Sequence, residues 1–421
     1  MLVYFKVGNF KSIKDPILIN FAATAINEHE ETNVFEKGKD RLLKTVLMYG
    51  ANAGGKSKIL DAFKVYKDMI LLSTNFNSTR NIPVEPFLLN EETRTAPSFF
   101  EAEFIIKNKK YRYGFEANEK EVSKEWLLEV KATTQVPLYL RIGQKFQIDH
   151  KKFINAKDLE SRCNTNVLFL SVADQWNVPV AKTIYAWFDS IDTIEGLSDS
   201  GYRSDTNEMM RNFNYNFLIN EMIRKADLGI KSINVGESPT DTNAYVNIQG
   251  MTDKKMKSYL EAKLTPILTM HNVFDNNGKV INEITFDLEK QGSEGTKKFY
   301  NIIGVLLRAV IENRLVIFDE IDARIHTLLT KSIIRLFNGT EVKTEAQLLA
   351  ACHDTAVMDR DLLRRDQIYL VEKNNLAATT VVNLVEYKVR KETPFDKNYL
   401  DGKYGGIPFI ENLENILKDG Q

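Results

Sequence analysis

Cysteine is almost absent from this chain: Cys163 and Cys352 are the only two in 421 residues, and they lie far apart. That leaves no disulfide framework and no zinc-ligand spacing, which fits a reducing cytoplasm. Excess charge of one sign is missing too. The formal net charge is −1, so no global field draws the chain to nucleic acid. Two lysine-rich patches, Lys107-Asn-Lys-Lys110 and Asp253-Lys-Lys-Met-Lys257, read as solvated turns and helix faces, with DNA or RNA contact as the alternative. No apolar run approaches the ~20 residues that a membrane span requires. The chain opens on a strand pattern with no signal-peptide pattern before it. Heptads are nowhere sustained over three or four repeats, so a long coiled coil is not expected. What remains is ordinary for a globular protein: 43% hydrophobic and 27% charged residues, with length enough for two or three domains.

One segment stands out. Gly50-Ala-Asn52-Ala-Gly54-Gly55-Lys56-Ser57 fits G-x-x-x-x-G-K-[ST]. The apolar run Thr45-Val-Leu-Met48 precedes it, and the helical pattern Lys58-Ile-Leu-Asp-Ala-Phe63 follows. A strand–loop–helix context of this kind marks a phosphate-binding P-loop; the alternative is a chance glycine-rich turn. The glycines allow a tight turn and close approach of backbone to ligand. Loop N–H groups and the N-terminus of the following helix would face phosphate. Gly50, Asn52, Gly54, Gly55, Lys56 and Ser57 are therefore the expected ATP contacts. Lys56 would reach the β/γ-phosphates, and the Ser57 hydroxyl would hold Mg²⁺.

A second segment lies more than half the chain away. Leu315-Val-Ile-Phe-Asp319-Glu320 reads as a buried parallel strand that ends in two carboxylates. Open α/β sheets bind ligands at that end of their strands. Asp319 fits a Mg²⁺-holding role, and Glu320 fits a general base that polarises the attacking water. The alternative is a core strand ending in solvated acids. The long interval suggests an ATPase head with material inserted between its halves. Just upstream, Gln291-Gly-Ser293-Glu-Gly295-Thr-Lys-Lys298 opens an apolar-periodic helix, with Ser293 as its N-cap. Downstream, the apolar run from Gln347 ends at His353-Asp354.

In this order the motifs resemble those of ABC-type ATPases, and most of all the heads related to RecF, SMC and the OLD-type defence proteins. The opening strand with its Asn9-Phe-Lys-Ser12 turn is similar as well. Ser-Glu-Gly-Thr-Lys-Lys, Asp-Glu-Ile-Asp-Ala-Arg-Ile-His and the tail Asp401-Gly-Lys-Tyr404-Gly-Gly-Ile-Pro408 resemble the RloA/AbiL-type ATPases of bacterial phage-defence operons. The resemblance implies two heads that sandwich ATP. Ser293 and Gly295 would then touch the γ-phosphate of the opposite head, His353 would contact it in cis, and Asp322 of the D-loop would sense the other head. It also implies a separate effector, a nuclease such as a TOPRIM type, and a phage-derived trigger. A RecF-like DNA-repair ATPase is the alternative. Two departures are visible. Glu294 stands where transporters carry Gly, and Pro86-Phe-Leu-Leu-Asn90, where a Q-loop belongs, has no Gln. His326 is followed by Thr327 in place of a proline, which leaves a capping or surface histidine as the alternative to a functional one. After His353 the chain is short. No Asp-x-Asp follows Tyr369-Leu-Val-Glu-Lys373, so an intrinsic nuclease is not expected and Glu372 reads as an ordinary strand-end acid.

The expected fold is α/β: an ABC-type P-loop head with a RecF/SMC-like core sheet, a flanking antiparallel sheet and a mostly helical insertion. Residues 1–150 would hold the P-loop and the antiparallel sheet, read from the alternation of Phe99-Phe-Glu-Ala-Glu-Phe-Ile-Ile and Tyr111-Arg-Tyr-Gly-Phe-Glu. Residues 151–270 would form the insertion, with the Gly236-Glu-Ser-Pro-Thr-Asp stretch as a loop within it. Residues 271–421 would complete the head, starting with strands around the Asp275-Asn-Asn-Gly278 turn.

Overall fold

Apolar residues alternate between two cores along every central strand, and this alternation builds the molecule around one sheet. In the computed structural model, which describes residues 1–132, 134–226, 228–237, 254–341, 343–387 and 394–407, that sheet has six strands. Their order is Asp192–Glu195, Leu315–Asp319, Gln347–Ala351, Thr45–Tyr49, Ile368–Lys373 and Thr379–Asn383. The first five are mutually parallel and the last is antiparallel to its neighbour. Val46, Met48, Leu315, Ile317, Leu349 and Val371 face one core. Leu47, Tyr49, Val316, Phe318, Leu348 and Leu370 face the other. A strand covered on both faces must be apolar on both, hence the continuous runs in the sequence. Each fully buried Leu, Ile or Phe contributes about 1.5–3 kcal/mol of transfer free energy.

The first face is covered by the helix Lys56–Leu72, which buries Ile59, Leu60, Phe63, Tyr66, Met69 and Ile70 at helical spacing. Beyond it lies a seven-stranded antiparallel sheet, in the order Lys145–Ile148, Gln135–Ile142, Val122–Val130, Lys109–Ala117, Ser98–Ile106, Leu2–Gly8 and Ile17–Asn20. Rings cross from helix to sheet: Phe63 lies 5.0 Å from Phe5, and Tyr66 lies 5.7 Å from Phe115. The second face carries the helices Glu294–Glu312 and Thr327–Asn338.

The expected α/β head with a flanking antiparallel sheet is what forms. The insertion departs from its expected outline. Phe169–Gln175, Pro179–Asp189, Arg203–Met210 and Phe213–Lys225 are helices. However, Asp192–Glu195 is the edge strand of the central sheet, and Ala181, Ile184 and Phe188 pack into the P-loop core. These residues are thus part of the head, because an edge strand must share its ladder with the core. The division at 270/271 falls inside the strand Ile267–Phe274. That strand pairs with both Ser232–Val235 and Val280–Asp287 in a three-stranded sheet. Part of the expected 236–241 loop, Asp253 of the second lysine patch, and Pro408 lie outside the described residues. Lys107 and Asn108 form the left-handed turn of a hairpin and are exposed, while Lys110 is half-buried and pairs with Asp40 at 2.5 Å.

One buried charge ties the antiparallel sheet to the helices beside it. Glu125 accepts from Tyr113 Oη (3.0 Å), Tyr139 Oη (2.7 Å), and the backbone N–H groups of Phe169 (2.8 Å) and Leu170 (3.0 Å). Arg141, fully buried like Glu125, lies 3.3 Å away. Glu125→Ala leaves this arginine buried without its carboxylate, and should lower unfolding stability by about 3–5 kcal/mol in urea titration.

Candidate nucleotide-binding site

The C-terminal ends of three parallel strands converge at one place. From Tyr49 the chain turns through Gly50 at φ +156° and Gly55 at φ +118° into the helix Lys56–Leu72. Space, as well as dihedral freedom, demands glycine here. A Cβ on Gly50 would sit 1.9 Å from the Val371 carbonyl oxygen, and one on Gly55 would sit 2.1 Å from Thr379 Oγ1. Thr379 Oγ1 also donates to Gly54 O at 3.1 Å and lies 2.8 Å from Ser12 Oγ. The Asn9–Ser12 turn therefore braces the loop from behind. Neither Thr379 nor Val371 is marked by any sequence motif; both are ordinary strand residues until the sheet forms.

Lys56 is buried, and Nζ donates to the carbonyls of Gly50 (2.6 Å) and Ala51 (3.2 Å). Burial lowers its pKa, while nearby Asp319 and Asp322 act in the opposite sense. Ser57 Oγ donates to Asp319 Oδ1 at 3.2 Å. Burial raises the Asp319 pKa, partly offset by that hydrogen bond. The first turn of the helix has no side-chain cap, so its N–H groups are free of side-chain competition for an anion. Among the described residues no cluster of three or more His, Cys, Asp or Glu could hold a metal by itself. Mg²⁺ needs no such cage, because it keeps waters and takes substrate phosphates beside one or two protein oxygens. The pair Ser57 and Asp319 fits that donor set.

Glu320 follows Asp319 and adopts φ +51°, a left-handed conformation that a side chain takes at a cost of about 1–3 kcal/mol. Ala53 (φ +64°) in the P-loop and Arg324 (φ +59°) in the D-loop share this feature. Such residues cluster where surrounding structure over-determines them. Here the determinants are visible. Gly196 N–H donates to Asp319 O at 2.9 Å, and a Cβ on Gly196 would meet Glu320 O at 2.3 Å. Lys298 is fully buried; Nζ donates to Ala323 O at 2.5 Å and Glu320 O at 3.3 Å, above the Phe318 ring. Burial pulls its pKa down to about 8, with Asp199 opposing. Gly196 was not foreseen. The only signal for it was a single glycine after a short alternating run.

The signature segment begins with exposed Ser293, whose Oγ caps the helix Glu294–Glu312 by accepting from Thr296 N at 3.2 Å. Gly295 has a reason inside its own chain, since a Cβ there would lie 2.7 Å from Arg324 O. Glu294 lies 3.1 Å from Lys297 and 3.8 Å from Arg324. Asp322, expected to face a second head, is engaged at home: Oδ2 accepts from His353 N (3.0 Å) and Asp354 N (2.8 Å). Its Oδ1 is buried without a partner. His353 is exposed at the end of the strand Gln347–Ala351. His326 is a capping histidine, with its ring accepting from Leu328 N at 3.2 Å. In the Pro86–Asn90 stretch, Phe87 is buried while Leu88 and Leu89 are exposed. So Gly50, Asn52, Gly54, Gly55, Lys56, Ser57, Asp319 and Glu320 come together. Asp322 bridges to His353, and Ser293 and Gly295 stand on the neighbouring helix.

Because burial disfavours the Asp319 charge, removing that charge should stabilise the empty protein while weakening the metal site. Asp319→Asn keeps an oxygen for Ser57. It should raise the thermal midpoint without nucleotide and lose the further rise on adding MgATP, both read in one melting experiment.

A family model described as "AAA domain, putative AbiEii toxin, Type IV TA system" matches residues 46–359. No curated protein matches the chain. The solved structures similar to this chain include two SMC heads. The SMC head domain from Thermotoga maritima shares 14% identity, with 91% of this chain and 98% of that chain covered and a TM-score of 0.39. The SmcHead bound to the C-winged helix domain of ScpA shares 12%, covering 91% and 99%, with a TM-score of 0.41. At such scores these likenesses carry no argument. The family match covers most of the chain and contains the P-loop lysine, the signature helix, both strand-end acids and His353. With three parallel strands bringing the P-loop, the acids and His353 to the same end of the sheet, the chain is an ABC-type P-loop ATPase head that belongs to this AAA-domain, AbiEii-toxin-like family.

Proposed function

We propose that this protein is the ATP-binding and ATP-hydrolysing regulatory subunit of a bacterial anti-phage system. It would control a separate effector, a nuclease such as one of TOPRIM type, in the cytoplasm. The observation that carries the ATPase part is the contact of Ser57 with Asp319 at 3.2 Å, beside Lys56 and the strained Glu320. The defence part is supported by the resemblance of Ser293–Lys298, Asp319–His326 and the Asp401–Pro408 tail to RloA/AbiL-type ATPases.

In this reading the P-loop backbone and Lys56 bind the phosphates, and Ser57 and Asp319 hold Mg²⁺. Mg²⁺ held there would supply positive charge that offsets the charge of the phosphates. Glu320 takes a proton from water as the water oxygen attacks the γ-phosphorus, and ADP leaves. Ser293 of a second copy presents its helix N-terminus to the same γ-phosphate, and His353 approaches it from within the chain. ATP would thus join two heads, and hydrolysis would part them. A trigger, phage-derived in this reading, can bias such a two-state clamp only by binding one state better.

Lys56→Ala should abolish MgATP binding in calorimetry. Glu320→Gln should bind MgATP but hydrolyse it about 10²–10⁴-fold more slowly, and should accumulate as a joined species on size exclusion. Normal hydrolysis by Glu320→Gln would remove Glu320 as the base. Ser293→Arg should block both ATP-dependent association and turnover; full turnover by a strict monomer would sink the two-head model. A pull-down of Glu320→Gln in MgATP from the native host tests the wider role. Recovery of a neighbouring-gene nuclease supports the regulatory reading, and recovery of DNA with repair factors alone supports the RecF-like one.

A further inference from the structure

One segment outside the phosphate, metal and signature motifs also touches the P-loop. After the helix Phe395–Leu400 the chain turns through Gly402, Gly405 and Gly406, all with φ between +70° and +74°. The Gly406 carbonyl accepts from Ala51 N–H at 2.8 Å and from Tyr399 Oη at 2.8 Å. The Gly406 N–H donates to Glu372 Oε2 at 2.7 Å, and a Cβ on Gly405 would lie 2.9 Å from that same oxygen. The turn is a packed structure. Tyr399 and Tyr404 are buried in the core that holds Tyr49 and Leu370. Tyr404 O accepts from Tyr387 Oη at 2.6 Å, and Tyr404 Oη accepts from Asn398 Nδ2 at 2.9 Å.

The geometry of one peptide plane gives these contacts a meaning. The Gly50 carbonyl and the Ala51 N–H belong to the same planar unit and point in opposite directions. Lys56 Nζ holds the carbonyl end at 2.6 Å, and Gly406 O holds the N–H end at 2.8 Å. The Lys56 ammonium has three donors, so phosphate would share it with the loop carbonyls. The N–H end of the plane is held by Gly406, which carries no such second duty and is in turn fixed by Glu372.

We infer that Glu372 is a positioning residue for nucleotide binding. Through Gly406 it sets the Gly50–Ala51 peptide and with it the shape of the phosphate loop. This rests on the reading of the P-loop as an ATP site. The chain of contacts runs from the end of one central strand, through the C-terminal turn, to the loop after the neighbouring strand. The loop backbone holds ground-state and transition-state phosphates alike, so its loss shows in binding and KM, not in kcat.

The test compares Glu372→Ala with Glu372→Gln in the full chain, measuring Kd for MgATP by calorimetry and KM and kcat by phosphate release. Glu372→Ala should raise Kd and KM by about tenfold, the scale of one hydrogen bond to a charged acceptor, with kcat within about twofold of the parent. Glu372→Gln keeps an oxygen for Gly406 N–H and should recover most of that loss. Tyr399→Phe removes only the second donor to Gly406 O and should give a smaller rise in the same direction, which tests the inference even if Glu372→Ala does not fold. Unchanged Kd in both Glu372→Ala and Tyr399→Phe, a fall in kcat at constant KM, or a Glu372→Gln protein as weak as Glu372→Ala would overturn the inference. A parent protein that binds no MgATP overturns the nucleotide-site reading, and this inference with it.

Discussion

Ser57 and Asp319 stand 262 positions apart in the chain and 3.2 Å apart in space. That contact depends on one constraint: a parallel sheet must be covered on both faces. Parallel strands return through long crossovers, and the crossovers supply the covering helices. The P-loop helix covers one face and the signature helix the other. Both enter from the same edge of the sheet, so sealing two apolar faces also delivers the lysine, the hydroxyl and the carboxylates to one mouth. The site follows from how the core is closed.

The charges at this mouth are held by backbone as much as by each other. Lys56 donates to two carbonyls of its own loop, and Lys298 to two carbonyls of the Glu320–Ala323 turn. Buried ammonium groups are tolerable only with such acceptors. The arrangement links elements that lie far apart in the sequence. Lys298 lies on the signature helix, Asp322 joins the D-loop to the His353 turn, and Gly295 lets the signature helix approach Arg324 O. A phosphate that engages Lys56 would act on a network whose left-handed residues, Ala53, Glu320 and Arg324, are already over-determined.

Much of this was legible in the residues. The P-loop spacing, the apolar strand ending in Asp319-Glu320, the Ser293 cap and the apolar run into His353 each depend on neighbours in sequence. Local patterns of that kind survive folding. The hairpin at Lys107-Asn108 and the turn at Asp275–Gly278 were legible for the same reason. The insertion was less so. Asp192–Glu195 is too short to announce which sheet it joins, and its ladder partner is Val316–Asp319. Glu372 read as an ordinary acid at a strand end. Its partner, Gly406, lies beyond another strand and a helix, and no spacing rule connects them.

Contiguous residues alone spelled out a phosphate-loop pattern, an apolar strand ending in two carboxylates and a capped helix start, whereas the pairing of Ser57 with Asp319 needed the fold. Tertiary structure decided what surrounds them. It placed Gly196 against Asp319 and Glu320, Thr379 and Val371 against the loop glycines, and the Gly405-Gly406 turn against Ala51. These are close approaches and hydrogen bonds between residues distant along the chain. Close approach of that kind leaves no periodic trace in a sequence beyond an isolated glycine.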